Sequence, residues 1–363
     1  MEIRVPAKEE NKKVIKFLNK VFHKPFPNLI PSLYGKDKNM MDYHFVVEEN
    51  GELVGAVCAY PETIRVGDIA LRGIAIGMVA TKKSARGKGV MTYMLNHTES
   101  LYSKDYDVAF LTGRRHRYEH FGYYPAGNNY IYNISDMSIK KWQCGCPYSI
   151  IKAKCKEDFL KVDELNNSAN VIVERPFAKE SETLRNWFSS LYLILKEGEV
   201  VGFASGKLFK GQTLERIYIK NGSVDDYIYG VQAYKKYKKA TNLKVEAVPN
   251  EDNLIKALHA CAEDYCIESH AKYKVFSYKR LIEKLLAIGA EQGRLVEVNK
   301  VVEILGREKL SIEVSDGNVK VTESTLEADL VLSEEEAIAS LLGAEESIVK
   351  GIGKFSLRHS DFI

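Results

Sequence analysis

Four basic side chains, Lys82, Lys83, Arg86 and Lys88, crowd around Gly87 and Gly89 in one short stretch. Glycine lets a backbone turn sharply and approach a ligand with no Cβ in the way. Behind this loop, Val90, Met91, Met94, Leu95, Thr98, Leu101 and Tyr102 recur at helical spacing with one apolar stripe. In front of it, residues 74–80 form a short apolar run that reads as a strand. A helix start carries unpaired N–H groups and the positive end of the helix dipole. Strand, glycine loop and helix in that order make a seat for a phosphate or pyrophosphate. The same order also suits an ordinary strand-to-helix turn with a solvated basic loop. No Lys-Ser or Lys-Thr pair closes a P-loop, and there is no G-x-G-x-x-G, so nucleoside triphosphate and dinucleotide sites are disfavoured.

A second candidate lies just downstream. Residues 107–112 read as a buried strand, followed by Gly113-Arg114-Arg115-His116-Arg117 and then Tyr118-Glu-His-Phe-Gly-Tyr123. A phenol with its usual pKa of about 10 is protonated at neutral pH and can donate a proton in catalysis. The alternative for Tyr118 is a core aromatic with a satisfied hydroxyl. Arg114 and Arg115 could serve phosphates or a second substrate, and the residues alone do not choose.

These groups sit in an ordinary globular frame. A chain of 363 residues predicts two or three domains. Its 52 basic and 49 acidic side chains leave a net charge of +3, a balance that argues against nucleic acid as the main partner. No apolar run approaches a membrane span, and the N-terminal residues lack a signal-peptide core, so a cytoplasmic location is expected. The six cysteines, including Cys144-Gly-Cys146 and the pair Cys261 and Cys266, do not follow zinc spacings. The eight histidines are scattered, so no metal is expected.

The elements that must position the site can be read in order. Val14, Ile15, Phe17, Leu18, Val21 and Phe22 mark an amphipathic helix. Prolines 25, 27 and 31 then exclude a regular helix or central strand, leaving an aromatic-rich loop that suits either packing or a wall for a second substrate. Asn50-Gly51 predicts a hairpin between residues 44–48 and 52–60, and Gly67-Asp68 another between 63–66 and 69–72. The segment 193–203 repeats the pattern of 46–56: strand, glycine turn, Glu, two aliphatics, Gly. This internal echo predicts a second copy of the first domain. Where the copy would need a phosphate seat it carries Asp225-Asp226, so its chemistry is lost. A helix at 276–288, a hairpin about Asp316-Gly317, a strand at 328–332 and a Ser333/Glu336 capping box complete the chain.

The run Val79-Ala80-Thr81 followed by Arg86-Gly87-Lys88-Gly89, together with Tyr118-x-x-Phe121-Gly122-Tyr123, resembles the GNAT acyltransferase superfamily, and within it the Eis-like (enhanced intracellular survival) branch. Met91 stands where the general motif has Gly or Ala, as is typical of that branch. The resemblance implies an α/β (α+β) architecture: a catalytic GNAT domain at 1–138, a degenerate GNAT-like domain at 149–284 and a small sterol carrier protein-like domain at 285–363. It implies acetyl-CoA as co-substrate, with Met78, Val79 and Ala80 along the pantetheine and Arg86, Gly87, Lys88, Gly89, Val90 and Met91 around the diphosphate. It implies transfer of the acetyl group to a primary amine of an aminoglycoside, polyamine or lysine. Tyr118 would be the general acid. The C-terminal carboxylate of Ile363 would be the general base, with Asp361 or His359 through a water as alternatives. A homo-oligomer, trimer or hexamer, is implied as well. The reading from a different class is a non-catalytic protein that binds CoA, acyl-CoA or lipid.

Overall fold

The computed structural model describes residues 1–142, 145–207, 212–343, 347, 349–353 and 357–358. Among these residues, three β-sheets carry the fold. The first contains β1 (Glu2–Arg4), β2 (His44–Glu49), β3 (Glu52–Val66), β4 (Ile69–Thr81) and β5 (Val108–Thr112), in that order. The two hairpins expected from Asn50-Gly51 and Gly67-Asp68 merge, because β3 and β4 each run on through both segments as one long strand. Asn50 and Gly51 both have positive φ, +52° and +77°, as a two-residue hairpin turn requires.

The strands beyond β5 do not follow chain order. Ala271–Val275, from far along the chain, pairs with β5 and then with Tyr124–Ala126 to finish the first sheet. In return Asn129–Ile134 leaves the first half and pairs with Leu243–Ala247 and Asp264–Glu268 in the second sheet. The two halves thus exchange a strand. The rest of the second sheet is the expected echo: Ser189–Lys196 and Glu199–Lys207 form a hairpin whose turn, Glu197-Gly198, repeats the positive φ pair of Asn50-Gly51.

A further strand, Val171–Glu174, has no counterpart in the sequence reading; it pairs with the outer half of β3. It leads into a buried chain of charges. Arg175 binds Glu62 of β3 and Glu180 at 2.9 Å each, and Glu180 also pairs with Arg216 of the second sheet, whose other amine reaches Asn166 at 2.7 Å. The proline-rich segment forms two single turns, Phe26–Leu29 and Pro31–Tyr34, with a proline in the first two positions of each, where a missing N–H costs no hydrogen bond. Phe26, Leu29, Ile30, Leu33 and Tyr34 are buried, and Ser32 is bonded to Asn186 from the second half. Packing therefore accounts for most of this segment.

The helix Tyr278–Glu291 carries Leu281, Ile282, Leu285 and Leu286 into the core shared by the first sheet and the third. The third sheet is Asn318–Glu323, Glu308–Ser315, Val298–Ile304 and Leu330–Leu332. Ser333 caps the helix Glu334–Leu342 and pairs reciprocally with Glu336, as its sequence predicts.

One buried histidine makes the stability of this core depend on pH. His44 is fully enclosed, its Nδ1 2.8 Å from the Met40 carbonyl and its Nε2 3.0 Å from the Tyr34 hydroxyl. Burial pushes its pKa down to about 4. The folded state holds it neutral while the unfolded chain protonates near its ordinary value, so the contribution is whole above pH ~6.5 and is lost as pH falls toward 4. Unfolding free energy measured from pH 7 to pH 4 should fall by about 3 kcal/mol more in the wild type than in a His44→Asn variant. Equal pH slopes would contradict this assignment.

Candidate active site

The site is built by β4 and what it fails to pair with. β4 pairs with β3 along its whole length, from Val66↔Ile69 to Gly55↔Thr81. Its parallel ladder with β5 covers only Gly73, Ala75 and the residue between them. Gly73 lets the strands close there, since a Cβ would stand 2.7 Å from the Phe110 ring. From Ile76 onward the edge of β4 that faces β5 has no ladder partner among the described residues.

At the same point β4 is bulged. Ala56 pairs with Ala80 but Cys58 pairs with Gly77, so Met78 and Val79 together oppose Val57. Met78 sits in the left-handed region at φ +50°, which costs a non-glycine residue about 1–2 kcal/mol. The bulge resets the alternation of the strand: Ile74, Ile76 and Val79 face one core, and Ala75, Met78 and Ala80 face the other.

β4 runs directly into the basic loop. Gly87 and Gly89 have φ of +77° and +75°, with open space where a side chain would begin. The helix Val90–Tyr102 starts with no side-chain cap, and the N–H groups from Gly87 to Thr92 donate to no described residue. These are donors presented to an anion. Lys82 pairs with Glu52, and Lys88 lies 3.5 Å from Glu49. Lys83 and Arg86 are exposed and have no ion-pair partner among the described residues, so their charge remains available. Gly55 lets the helix seat itself on β3; a Cβ there would meet Val90 Cγ1 at 2.6 Å and Met94 Sδ at 2.9 Å.

Tyr118 ends the short helix Arg115–Tyr118, just past β5. Its ring lies over Gly113 and 6.4 Å from the Tyr123 ring. It packs against the same core cluster as Val79 and Met91. Burial raises its pKa, with Arg117 opposing more weakly. Its hydroxyl makes no hydrogen bond to a described residue. Arg115 is held by Glu119 at 3.1 Å and by Glu335 of the C-terminal segment at 2.8 Å, which makes it a strut. Arg114 is exposed.

Ile363, Asp361 and His359 lie outside the described residues, as does Cys144. The last described position, Arg358, is buried and pairs with Glu251. Sequence reasoning missed one carboxyl nearby. Glu246, on the strand Leu243–Ala247, is pushed up to about 7 by burial and by Glu215, with Lys207 and Arg358 opposing. No local pattern announces it, because its surroundings are assembled by strands distant in sequence.

In the second half the corresponding helix, Val224–Lys238, is closed to anions. Ser223 caps it, and Asp226 occupies the cap, bonded to the Ser223 N–H at 2.9 Å, the Tyr148 hydroxyl at 2.5 Å and Lys196 at 3.0 Å. A cavity of about 420 Å³ opens beside it, lined by Arg216, Tyr218, Asn250 and Arg358 among others, and no residue of the basic loop lines it. Among the described residues no cluster of three or more His, Cys, Asp or Glu side chains could hold a metal ion. Nor, among them, is any helix long and apolar enough to cross a membrane.

Residues 2–126 match the profile of the family described as acetyltransferase (GNAT) domain. No curated protein sequence matches the chain. Among solved structures it is similar to a GCN5-related N-acetyltransferase from Anabaena variabilis, at 14% identity and TM-score 0.67, over 92% of this chain and 88% of that one. It is similar to Eis1 from Mycobacterium abscessus, at 14% identity and TM-score 0.67, over 95% and 90%. A protein of unknown function and probable N-acyltransferase from Enterococcus faecalis gives 15% identity and TM-score 0.65, over 92% and 88%. At these identities the likeness is one of fold. With an acetyltransferase domain over residues 2–126, the protein is an N-acetyltransferase in class.

The two glycines of this frame should respond differently. Gly89→Ala meets open space, so it should cost only the left-handed backbone, about 1–2 kcal/mol. Gly55→Ala, in extended backbone, carries no such cost but drives a methyl into Val90 and Met94, an overpacking cost of about 1–3 kcal/mol. Moreover, it should loosen the helix, which amide exchange along Val90–Tyr102 would report; unchanged exchange in Gly55→Ala would contradict the seating argument.

Proposed function

We propose that the protein transfers an acetyl group from acetyl-CoA to a primary amine, with the co-substrate lying between β4 and β5. The observation that carries this is the edge of β4 from Ile76 to Thr81, unpaired among the described residues, running straight into six N–H groups at Gly87–Thr92 that donate to no described residue. An extended amide-bearing arm can complete the edge as a strand would, while the diphosphate takes the loop donors. Met78, Val79 and Ala80 would line the arm, and Arg86, Gly87, Lys88, Gly89, Val90 and Met91 the diphosphate. The amine attacks the thioester carbonyl, a tetrahedral adduct forms, and its collapse breaks the C–S bond. Tyr118 gives its proton to the departing thiolate. Burial keeps the phenol protonated at neutral pH, so it has a proton to give.

An ammonium acceptor must first lose a proton. The base in this account is the α-carboxylate of Ile363. Arg358, fixed to Glu251, stands five residues before that carboxylate. Five extended residues reach about 17 Å. The charge of Arg358 is felt at Glu246, whose strand neighbours Ile131 and Cys266 lead to the crossing where Ala271 pairs with Thr112. Arg358, held by Glu251, gives the last five residues a fixed starting point, which supports this reading. In this account the C-terminal α+β segment is a sterol carrier-like domain that carries the tail and moves no lipid. The assembly is a homo-oligomer.

Free-thiol release from acetyl-CoA with a panel of aminoglycosides, polyamines and lysine peptides tests the activity. Tyr118→Phe keeps the ring and should lower turnover by about 10²-fold or more, with CoA affinity intact. Appending Gly and Ser residues after Ile363 should abolish turnover while melting temperature and CoA affinity hold. Undiminished turnover in either variant removes that group from the mechanism. Acetyl-CoA binding with no thiol release for any amine would favour the non-catalytic alternative.

A further inference from the structure

The turn that carries Tyr118 closes on itself. The Tyr123 N–H donates to the Tyr118 carbonyl at 3.2 Å, the Gly122 N–H to the Glu119 carbonyl at 2.9 Å and the Arg117 N–H to the Arg114 carbonyl at 3.1 Å. The strand that follows, Tyr124–Ala126, has only 3 residues and stands at the edge of the first sheet, paired with Ala271–Tyr273. Tyr118 therefore takes its place from its ring, which lies over Gly113, and from whatever holds this small unit.

The helix Glu334–Leu342, from the C-terminal segment, grips the unit at both ends. The start of this helix is pinned, because the Ser333 N–H and hydroxyl both donate to Glu336, at 2.8 and 2.7 Å. Glu334 and Glu335 follow in its first turn, where the helix dipole favours a carboxylate. Each has its own arginine. Glu334 accepts from Arg307 at 2.8 Å, and the two oxygens of Glu335 lie 2.8 and 2.9 Å from Arg115 Nη2. Arg115 opens the short helix that Tyr118 closes, and its Nε donates to Glu119 at 3.1 Å, which keeps the guanidinium on the turn. At the other end the Leu342 carbonyl accepts the Gly127 N–H at 2.8 Å, just past Tyr124–Ala126. Between these two ties Ala337, Ile338 and Leu341 are buried in the same core as Ala126 and Tyr273.

We propose that Glu335, acting through Arg115, is a positioning residue that holds the Tyr118 turn in place, so that the C-terminal segment sets where the proton donor stands. This rests on the function proposed above. Glu335 touches no substrate, and the residues assigned to CoA, on β4 and the basic loop, take no part in the pairing. An exposed ion pair adds little stability. A reacting group displaced by about 1 Å can nevertheless lose about a hundredfold in rate. The pair thus matters for geometry more than for stability.

With a saturating amine, Glu335→Ala should lower kcat about tenfold, with KM for acetyl-CoA within about twofold and melting temperature within about 2 °C of wild type. Glu335→Gln keeps an acceptor oxygen and should recover at least about half of the lost activity. In a Tyr118→Phe background, Glu335→Ala should cost less than about twofold, since no acid remains to be positioned. The amides of Gly122 and Tyr123 should exchange about tenfold faster in Glu335→Ala than in wild type. Unchanged turnover in Glu335→Ala would overturn the proposal, as would an equal loss with and without the Tyr118 hydroxyl. Unchanged exchange at those two amides would overturn it as well, and that readout needs no acetyl transfer. Failure of the function proposed above would show itself separately, as a wild-type protein that neither binds CoA nor releases thiol.

Discussion

The parallel ladder between β4 and β5 stops at Ala75, and much of the remaining structure serves that interruption. A sheet left open between two central strands exposes backbone donors and acceptors that need partners. Here the opening stays part of a firm frame. β3 pairs with β4 along its full length on one side. Ala271–Val275 pairs with all of β5 on the other. The helix Val90–Tyr102, seated at Gly55, covers one face, and the turns Phe26–Leu29 and Pro31–Tyr34 with the helix Tyr278–Glu291 cover the other.

The second half of the chain supports the first through shared strand pairing and electrostatically. The exchange of Ala271–Val275 for Asn129–Ile134 means that neither sheet is complete without the other half. The buried chain Glu62–Arg175–Glu180–Arg216 ties β3 to the second sheet. Buried ion pairs add little net stability, because desolvation offsets the Coulomb attraction, yet losing one partner is costly. Such a chain therefore fixes how the two sheets are set against each other more than it strengthens either. Its row on β3 is level with the closed end of the opening, since Glu62 pairs with Gly73 and Gly73 with Val108.

Much of this was legible in local sequence, where the physics is local. The glycine loop, the helix behind it, the Asn50-Gly51 turn and the Ser333 cap each depend on residues within a few positions. The echo of 46–56 in 193–203 marked the second half, and Asp226 does close the second helix, though by capping it as well as by repelling an anion. What was not legible depends on distant pairings. No pattern in Ala271–Val275 says that it belongs beside β5, because a buried strand reads the same in either sheet. Gly77 stands beside the bulge at Met78, but a lone glycine in a strand also marks a close backbone approach, so it does not announce the bulge by itself. The prolines at 25, 27 and 31 suggested a loop, but proline also fits the first turn of a helix, and each short helix uses one there.

The central claim is that a CoA thioester occupies the opening between β4 and β5. Amide hydrogen exchange, with and without CoA, tests it most directly. The account predicts new protection at the amides of residues 76–81 and 87–92, with little change along Thr213–Ile219 and Leu243–Ala247. Protection confined to that second pair of strands, with the β4 edge and the basic loop unaffected, would contradict it.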